Sequence, residues 1–258
     1  MLLRDDELQK RLLLWRKDAE SGKNGIGEQG EKTLHAMLKA AYAPDPANKE
    51  VKLGRFVADV YDGEEIVEIQ TANFRNLRKK LPALLEIAPV RLVYPLPGRR
   101  YLSWVEPVTG EMTPPRNCGR RTKPIAALHE LYAVKEWLLD PRLSAELQFY
   151  DLDEYRLRCG YSRDGKKGSR RMERFPRQLR ERIPLSSPAD YAALLPANFR
   201  EKLPDPDRFT AADLSKALAV RGRKVYSVLH VMEEVGVFAR LPEEEQCGRA
   251  GEWRILGL

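Results

Sequence analysis

Phe56-Val-Ala-Asp-Val-Tyr-Asp-Gly-Glu-Glu-Ile-Val-Glu-Ile-Gln70 is the stretch that decides the fold class. β-Branched and apolar residues on both sides of Asp62-Gly63 predict two short strands folded back on each other. Asp59 and Glu68 interrupt the apolar pattern, and acids in such a setting are costly to bury without a task. Side chains alternate faces with period 2, so the loop length fixes which residues share a face. With Asp62 and Gly63 as the two loop residues, Tyr61 pairs with Glu64 and Asp59 lies opposite Ile66. Glu68 is then the diagonal neighbour of Asp59 on one face, joined by Gln70, while Ala58, Val67 and Ile69 point into a core. A three-residue loop would separate the two acids.

Working outward, residues 2–20 predict a charged amphipathic helix with Leu8, Leu12 and Trp15 on one stripe. Residues 21–25 break it, and a second helix follows over 26–42 with Leu34, Met37, Leu38 and Ala41 inward. Glu31 stands at the head of that inward stripe, with Glu28 one turn earlier. Acids in a first turn also complement the helix dipole, which is the plainer use of both. Residues 49–53 predict a strand leading into the hairpin, and 73–87 a helix with Leu77, Leu81, Leu84 and Leu85 inward. Pro82 marks a kink or a fresh start in that helix. Residues 89–94 form a strand of the buried type. The order is helix, three strands, helix, strand.

Gly27-Glu-Gln-Gly-Glu31-Lys-Thr-Leu34, Val57-Ala-Asp59-Val60 and Ile66-Val-Glu68-Ile-Gln70, in that element order, resemble the PD-(D/E)xK nuclease superfamily. That group includes Holliday-junction resolvases, many restriction enzymes and competence-associated nuclease-like proteins. The resemblance covers about the first hundred residues and implies an α/β fold with an αβββαβ restriction-endonuclease-like core. It matches Glu31 to the helix acid, Asp59 to the first strand acid and Glu68 to the second, and it sets Gln70 where most members carry lysine. The catalytic set it implies is Glu31, Asp59, Glu68 and Gln70. Asp59 and Glu68 would hold Mg2+ (or Mn2+), with Glu31 as a direct or water-mediated ligand, because such ions take hard oxygen donors. Glutamine orients a water but carries no charge and takes no proton. The resemblance therefore leaves two readings: a working nuclease, or a degenerate core kept as a scaffold for DNA binding or regulation. His35, one turn past Glu31, reads as a surface histidine with a phosphate contact as the sharper alternative.

The chain has 258 residues and a net charge of +7, which suits a polyanionic partner. Three dispersed cysteines and three isolated histidines give no spacing for a disulfide framework or a zinc site. A basic-then-apolar leader and a bilayer-length apolar run are both missing, so the expectation is a cytoplasmic protein with no membrane partner. Past Tyr94, residues 99–108 predict a strand, 124–139 a helix and 145–158 a β-hairpin. Residues 155–182 carry eleven arginines and lysines against three acids, with Tyr155, Tyr161 and Phe175 interleaved. Phosphate contact along a nucleic-acid backbone is one reading; a solvated loop, or arginines answering acids elsewhere in the fold, is the other.

The last seventy or so residues resemble a winged helix-turn-helix domain. Its signals are an N-cap at Ser186-Ser187, a capping box at Thr210 and Asp213, a turn at 220–222, a second helix over 224–234 and two wing strands. Arg221, Arg223 and Lys224 would lead the recognition helix. The expected organisation is a nuclease-like domain over 1–120, a basic α+β extension over 121–185 and a winged helix domain over 186–258. The expected function is divalent-metal-dependent hydrolysis of phosphodiester bonds, with DNA as the partner. Nucleic-acid contacts are expected from Arg75, Arg78, Lys79, Arg163, Lys166, Lys167, Arg170, Arg171, Arg221, Arg223 and Lys224.

Overall fold

The computed structural model describes residues 4–20, 33–119, 121–161, 167–247 and 250–256. The chain is mixed α/β. In order come α1 (Asp5–Glu20), α2 (Thr33–Tyr42), β1 (Lys49–Leu53), β2 (Phe56–Tyr61), β3 (Ile66–Ile69), α3 (Leu77–Ile87), β4 (Val90–Val105) and β5 (Arg116–Asn117). Then follow α4 (Leu128–Leu131), β6 (Leu143–Leu157), β7 (Arg170–Leu185), α5 (Pro188–Ala192), β8 (Phe209–Thr210), α6 (Ala211–Leu218), α7 (Arg223–Glu234), β9 (Phe238–Arg240) and β10 (Glu252–Ile255). Two compact units emerge, residues 1–71, 90–122 and 147–182 in one, and 72–89, 123–146 and 183–258 in the other. Both are discontinuous in sequence, and the chain passes between them after residues 71, 89, 122, 146 and 182.

The first unit is built on a sheet of order β1-β2-β3-β4-β6-β7, with β5 added beside β4. β1, β2 and β3 run antiparallel in turn, and β3 runs parallel to β4 through a connection that carries α3. One face of this sheet is closed by α1 and α2. Leu8 and Leu12 of α1 and Met37, Leu38 and Ala41 of α2 pack with Val60, Val67, Ile69, Val93, Tyr150, Leu152 and Phe175. The inward stripes read from the sequence are these same residues, with Leu34 partly buried beside them; the Trp15 side chain, Glu28 and Glu31 lie outside what is described.

Three expectations need correction. β4 is one strand where two were expected, because Pro95 and Pro97 lie beyond Val93, the last residue paired with β3. Proline there removes no donor from that ladder. Residues 145–158 are no hairpin: β6 runs unbroken from Leu143 to Leu157, and its neighbour is the basic segment β7. Asp151, Asp153 and Glu154, which suggest a turn in the sequence, are buried strand residues held by arginines. Arg180 meets Asp151 at 2.6 Å, Arg177 and Arg16 meet Asp153 at 3.1 and 2.7 Å, and Arg174 and Arg156 meet Glu154 at 2.8 and 2.6 Å. The helix expected over 124–139 breaks into 3-10 turns on either side of the four-residue α4, with Val134 outside helical geometry.

β7 ends the sheet, where an open backbone edge invites unwanted pairing. Gln9 of α1 covers part of it as an amide would. Its Nε2 donates to the Arg177 carbonyl at 3.0 Å, and its Oε1 accepts from Leu179 N at 2.8 Å.

In the second unit β8, β10 and β9 form a three-stranded antiparallel sheet. Phe199 stacks on Phe238, and Phe209 meets Phe238 edge to face. The capping box at Thr210 and Asp213 is formed, as is a second at Ser187 and Asp190. Leu77, Leu81, Leu84 and Leu85 of α3 are buried as expected, and Pro82 sits inside the helix without ending it. No helix among the described residues is long and apolar enough to cross a membrane.

Two outcomes follow. Burial pushes the Glu154 carboxyl up, but hydrogen bonds and charge from Arg156 and Arg174 outweigh it and hold its pKa below the ordinary value. Capping bonds from Thr210 and from Ser186 and Ser187 likewise depress Asp213 and Asp190. Groups depressed on folding stabilise fully above their unfolded pKa, near pH 4–5, and lose that contribution as pH falls through the folded value. Urea unfolding followed from pH 7 to pH 3 should show falling stability below about pH 5, with a shallower fall in Glu154→Gln. At neutral pH, Glu154→Ala should cost about 2 kcal/mol, discounted for the partial exposure of its arginine partners.

Candidate active site

The hairpin turns differently from the two-residue loop expected. Tyr61 pairs with Ile66 and Val60 with Val67, so residues 62–65 form the loop. The Asp62 carboxylate sets that length by accepting from the backbone N–H of both Glu64 and Glu65 at 2.9 Å. Gly63 follows at φ 95°, a conformation that favours glycine. Slight burial raises the Asp62 pKa, and these two bonds outweigh it, lowering the carboxyl below its usual range. The register moves by two residues, which preserves parity. Asp59 and Glu68 keep a common face, and the next pair in this register sets them directly opposite each other.

At that pair the side chains tie the two strands. Glu68 Oε1 accepts from Asp59 N at 3.2 Å, and Asp59 Oδ2 accepts from Ile69 N at 2.9 Å. Glu68 is 2% exposed, while Asp59 is partly open. His35, in the first turn of α2, brings Nε2 to 3.1 Å from Asp59 Oδ2. Gln70 continues the parallel pairing past β3 by donating its backbone N–H to the Val93 carbonyl at 2.9 Å. The structure thus brings together Asp59, Glu68 and His35, with Gln70 two residues on along the same chain. Glu31, expected as the third acid, lies outside the described residues.

Two carboxylates on adjoining strands are hard oxygen donors, the chemistry that suits a magnesium- or manganese-type ion. Among the described residues no group of three His, Cys, Asp or Glu is disposed to hold a metal.

The basic residues divide into two populations. Arg174, Arg177 and Arg180 answer the acids of β6, and Arg182 pairs with Asp5 of α1 at 2.7 Å. Lys167, Arg170 and Arg171 are exposed, and Arg163 and Lys166 lie outside the described residues. Arg75 and Lys79 are exposed around the start of α3, and Arg78 is paired with Glu136 at 2.5 Å.

Arg221, Arg223 and Lys224 are exposed at the leading end of α7, with Tyr226 beside them. Val225, Val228, Leu229 and Met232 bury the inner stripe of that helix. The opposite stripe is covered too. His129 Nδ1 lies 3.0 Å from Ser227 Oγ, the Tyr132 ring is 5.9 Å from that of His230, and Lys135 pairs with Glu234.

Two features are defined by the structure more sharply than by the sequence. His35 and Lys39 follow Glu31 at four-residue intervals, a polar stripe on an otherwise apolar helix, and Lys39 is 6% exposed with Nζ 2.7 Å from Glu50. That spacing was the available signal. The acid–arginine ladder was signalled by Asp151-x-Asp153 facing arginines repeated every third residue from Arg174 to Arg180.

Over 74 residues the chain is 39% identical to an uncharacterized protein of Treponema pallidum (strain Nichols), a match covering 28% of this chain and 29% of that one. The chain therefore matches under a third of that relative's length, and the alignment carries no activity with it. No solved structure matches. A family model described as Domain of unknown function (DUF8091) matches residues 32–186, from the edge of α2 through the carboxylate hairpin to the end of β7. More than half of the chain lies in that match, and the protein belongs to the DUF8091 family.

Proposed function

We propose that this protein is a divalent-metal-dependent nuclease that hydrolyses phosphodiester bonds in DNA, built on an αβββαβ PD-(D/E)xK-like core with a winged helix unit for docking. The observation that carries it is the pair Asp59 and Glu68, opposed on β2 and β3, each bonded to the backbone of the other's strand. Those bonds fix both carboxylates without rotational freedom, as a binding site for an ion requires. A magnesium or manganese ion held there with Glu31 would supply Lewis acidity, activating water and offsetting charge on the scissile phosphate. Gln70 would orient that water by hydrogen bonding, and His35 would position Asp59. The exposed Arg221, Arg223 and Lys224 would contact DNA phosphates. The outward stripe of α7, which a groove-reading helix would present, is taken by residues 129–135, and this favours backbone contact over base readout.

Glu68→Gln separates structure from chemistry. The amide oxygen still accepts from Asp59 N, while the negative charge is lost. Plasmid and linear DNA incubated with Mg2+ or Mn2+ should be cut by the wild type and at least about 100-fold more slowly by Glu68→Gln. Equal rates would rule out this site. The triple variant Arg221→Ala, Arg223→Ala, Lys224→Ala should weaken DNA binding equally across unrelated sequences and lower the log–log salt slope by about 2–3.

Gln70 in place of lysine favours a second reading, a catalytically degenerate DNA-binding or regulatory protein on the same scaffold. It expects no cleavage with either ion, and salt-sensitive DNA binding that neither EDTA nor Asp59→Ala changes. Gln70→Lys would then produce cleavage from an inactive parent.

A further inference from the structure

Helix α2 makes two polar contacts with neighbouring strands of the first unit. His35 Nε2 lies 3.1 Å from Asp59 Oδ2, and one turn later Lys39 Nζ lies 2.7 Å from Glu50 Oε1. Residues four apart share a helix face, so both contacts come from one stripe of α2. Lys49 pairs with Val60 and Val51 with Ala58, and the same register sets Glu50 of β1 against Asp59 of β2. Val60 pairs with Val67, which continues the row from Asp59 to Glu68 of β3. Three acids therefore stand on adjoining strands, about 5 Å from one strand to the next. A histidine and a lysine of the same helix reach two of them.

The Lys39–Glu50 pair is lopsided. The Lys39 side chain is 8% exposed and that of Glu50 is 64% exposed. A buried ammonium is costly without an anionic partner, yet a carboxylate open to water is a weak one. Glu50 also holds φ at 52°, the left-handed region, inside a strand. A non-glycine residue is strained there, and such strain persists only where surrounding contacts impose it. Glu50 is thus an anion that water readily takes back, and Lys39 a buried cation whose printed partner opens to solvent.

We propose that Lys39 binds a backbone phosphate of DNA beside the carboxylate hairpin, and that Glu50 holds its place until the phosphate arrives. The assignment rests on the nucleic-acid reading above and adds the side chain that meets the strand next to the acids. A row of three carboxylates repels a phosphodiester, so positive charge must meet the strand there. An ion held by Asp59 and Glu68 would serve one side of the row. Lys39 serves the other, where its partner Glu50 stands one strand spacing from Asp59. Exchange of Glu50 for phosphate keeps the ammonium paired throughout, and the released carboxylate turns to water at little cost. An ammonium is a compact charge with three rotatable donors, which suits a phosphate oxygen in a varied backbone.

The test uses the full chain, a fluorescein-labelled 20-base-pair duplex, EDTA to prevent hydrolysis, and anisotropy titrations over a series of NaCl concentrations. Glu50→Gln removes the competing charge at an exposed position and should tighten binding about threefold near 0.1 M salt. Adding Lys39→Met to it removes the cation without leaving a lone buried charge. That double variant should bind at least about fivefold more weakly than Glu50→Gln, with the log–log slope reduced by about 0.9, one lost phosphate contact. A purely structural ion pair would move thermal midpoints and leave binding as it was. Wild-type or weaker affinity in Glu50→Gln overturns the assignment. So does a double variant that binds as tightly as Glu50→Gln, since the gain would then come from losing one surface charge. Cleavage by the wild type in Mg2+ or Mn2+ is scored separately. The expected binding pattern without cleavage sinks the nuclease reading alone, and cleavage without that pattern sinks the Lys39 assignment alone.

Discussion

Two carboxylates exchanging hydrogen bonds with each other's strand hold the centre of the first unit. Asp59 N and Ile69 N would otherwise be strand donors at a point where the hairpin stops pairing residue for residue, and unpaired backbone donors in a buried setting are costly. Glu68 and Asp59 satisfy them. The bridge explains acceptors at these positions but not negative charge. Asparagine and glutamine would present the same carbonyl oxygen without repulsion between neighbours. Two opposed acids favour a positive or hydrogen-bonding neighbour, and His35 Nε2 lies 3.1 Å from Asp59 Oδ2. The ion in the proposed reaction is a stronger one.

The turn shows how far a local signal carries. Asp62-Gly63 does make a turn, and the faces of Asp59, Glu68, Val67 and Ile69 follow from parity alone. Loop length did not follow, because Asp62 spends its side chain on two backbone donors and so holds a four-residue loop. A two-residue change of register left the faces intact and altered only the partner of Asp59. The helices and strands before Tyr94 were legible because their apolar stripes have a single core to face. Past Tyr94 that logic weakened. β6 and β7 place acids and arginines where apolar residues would normally mark a buried strand, so binary patterning read one as a hairpin and left the other without an element. Burial there is enabled by long-range pairing between segments some twenty-five residues apart, which no local window contains.

The same pairing changes the meaning of the net charge. Composition spreads the excess evenly over residues 155–182, and the phosphate and ion-pair readings look equivalent at that level. In three dimensions they separate by strand position. Toward the C-terminal part of β7 the arginines are matched against acids and one glutamine seals the edge, so their charge is spent on folding. Near the start of β7, Glu154 is shared by Arg156 and Arg174. Asp151 answers Arg180, while Asp153 and Glu154 each hold two arginines. Lys167, Arg170 and Arg171 stand exposed ahead of that ladder, so the part of the excess turned to solvent lies at the start of β7 and the part spent on folding lies beyond it.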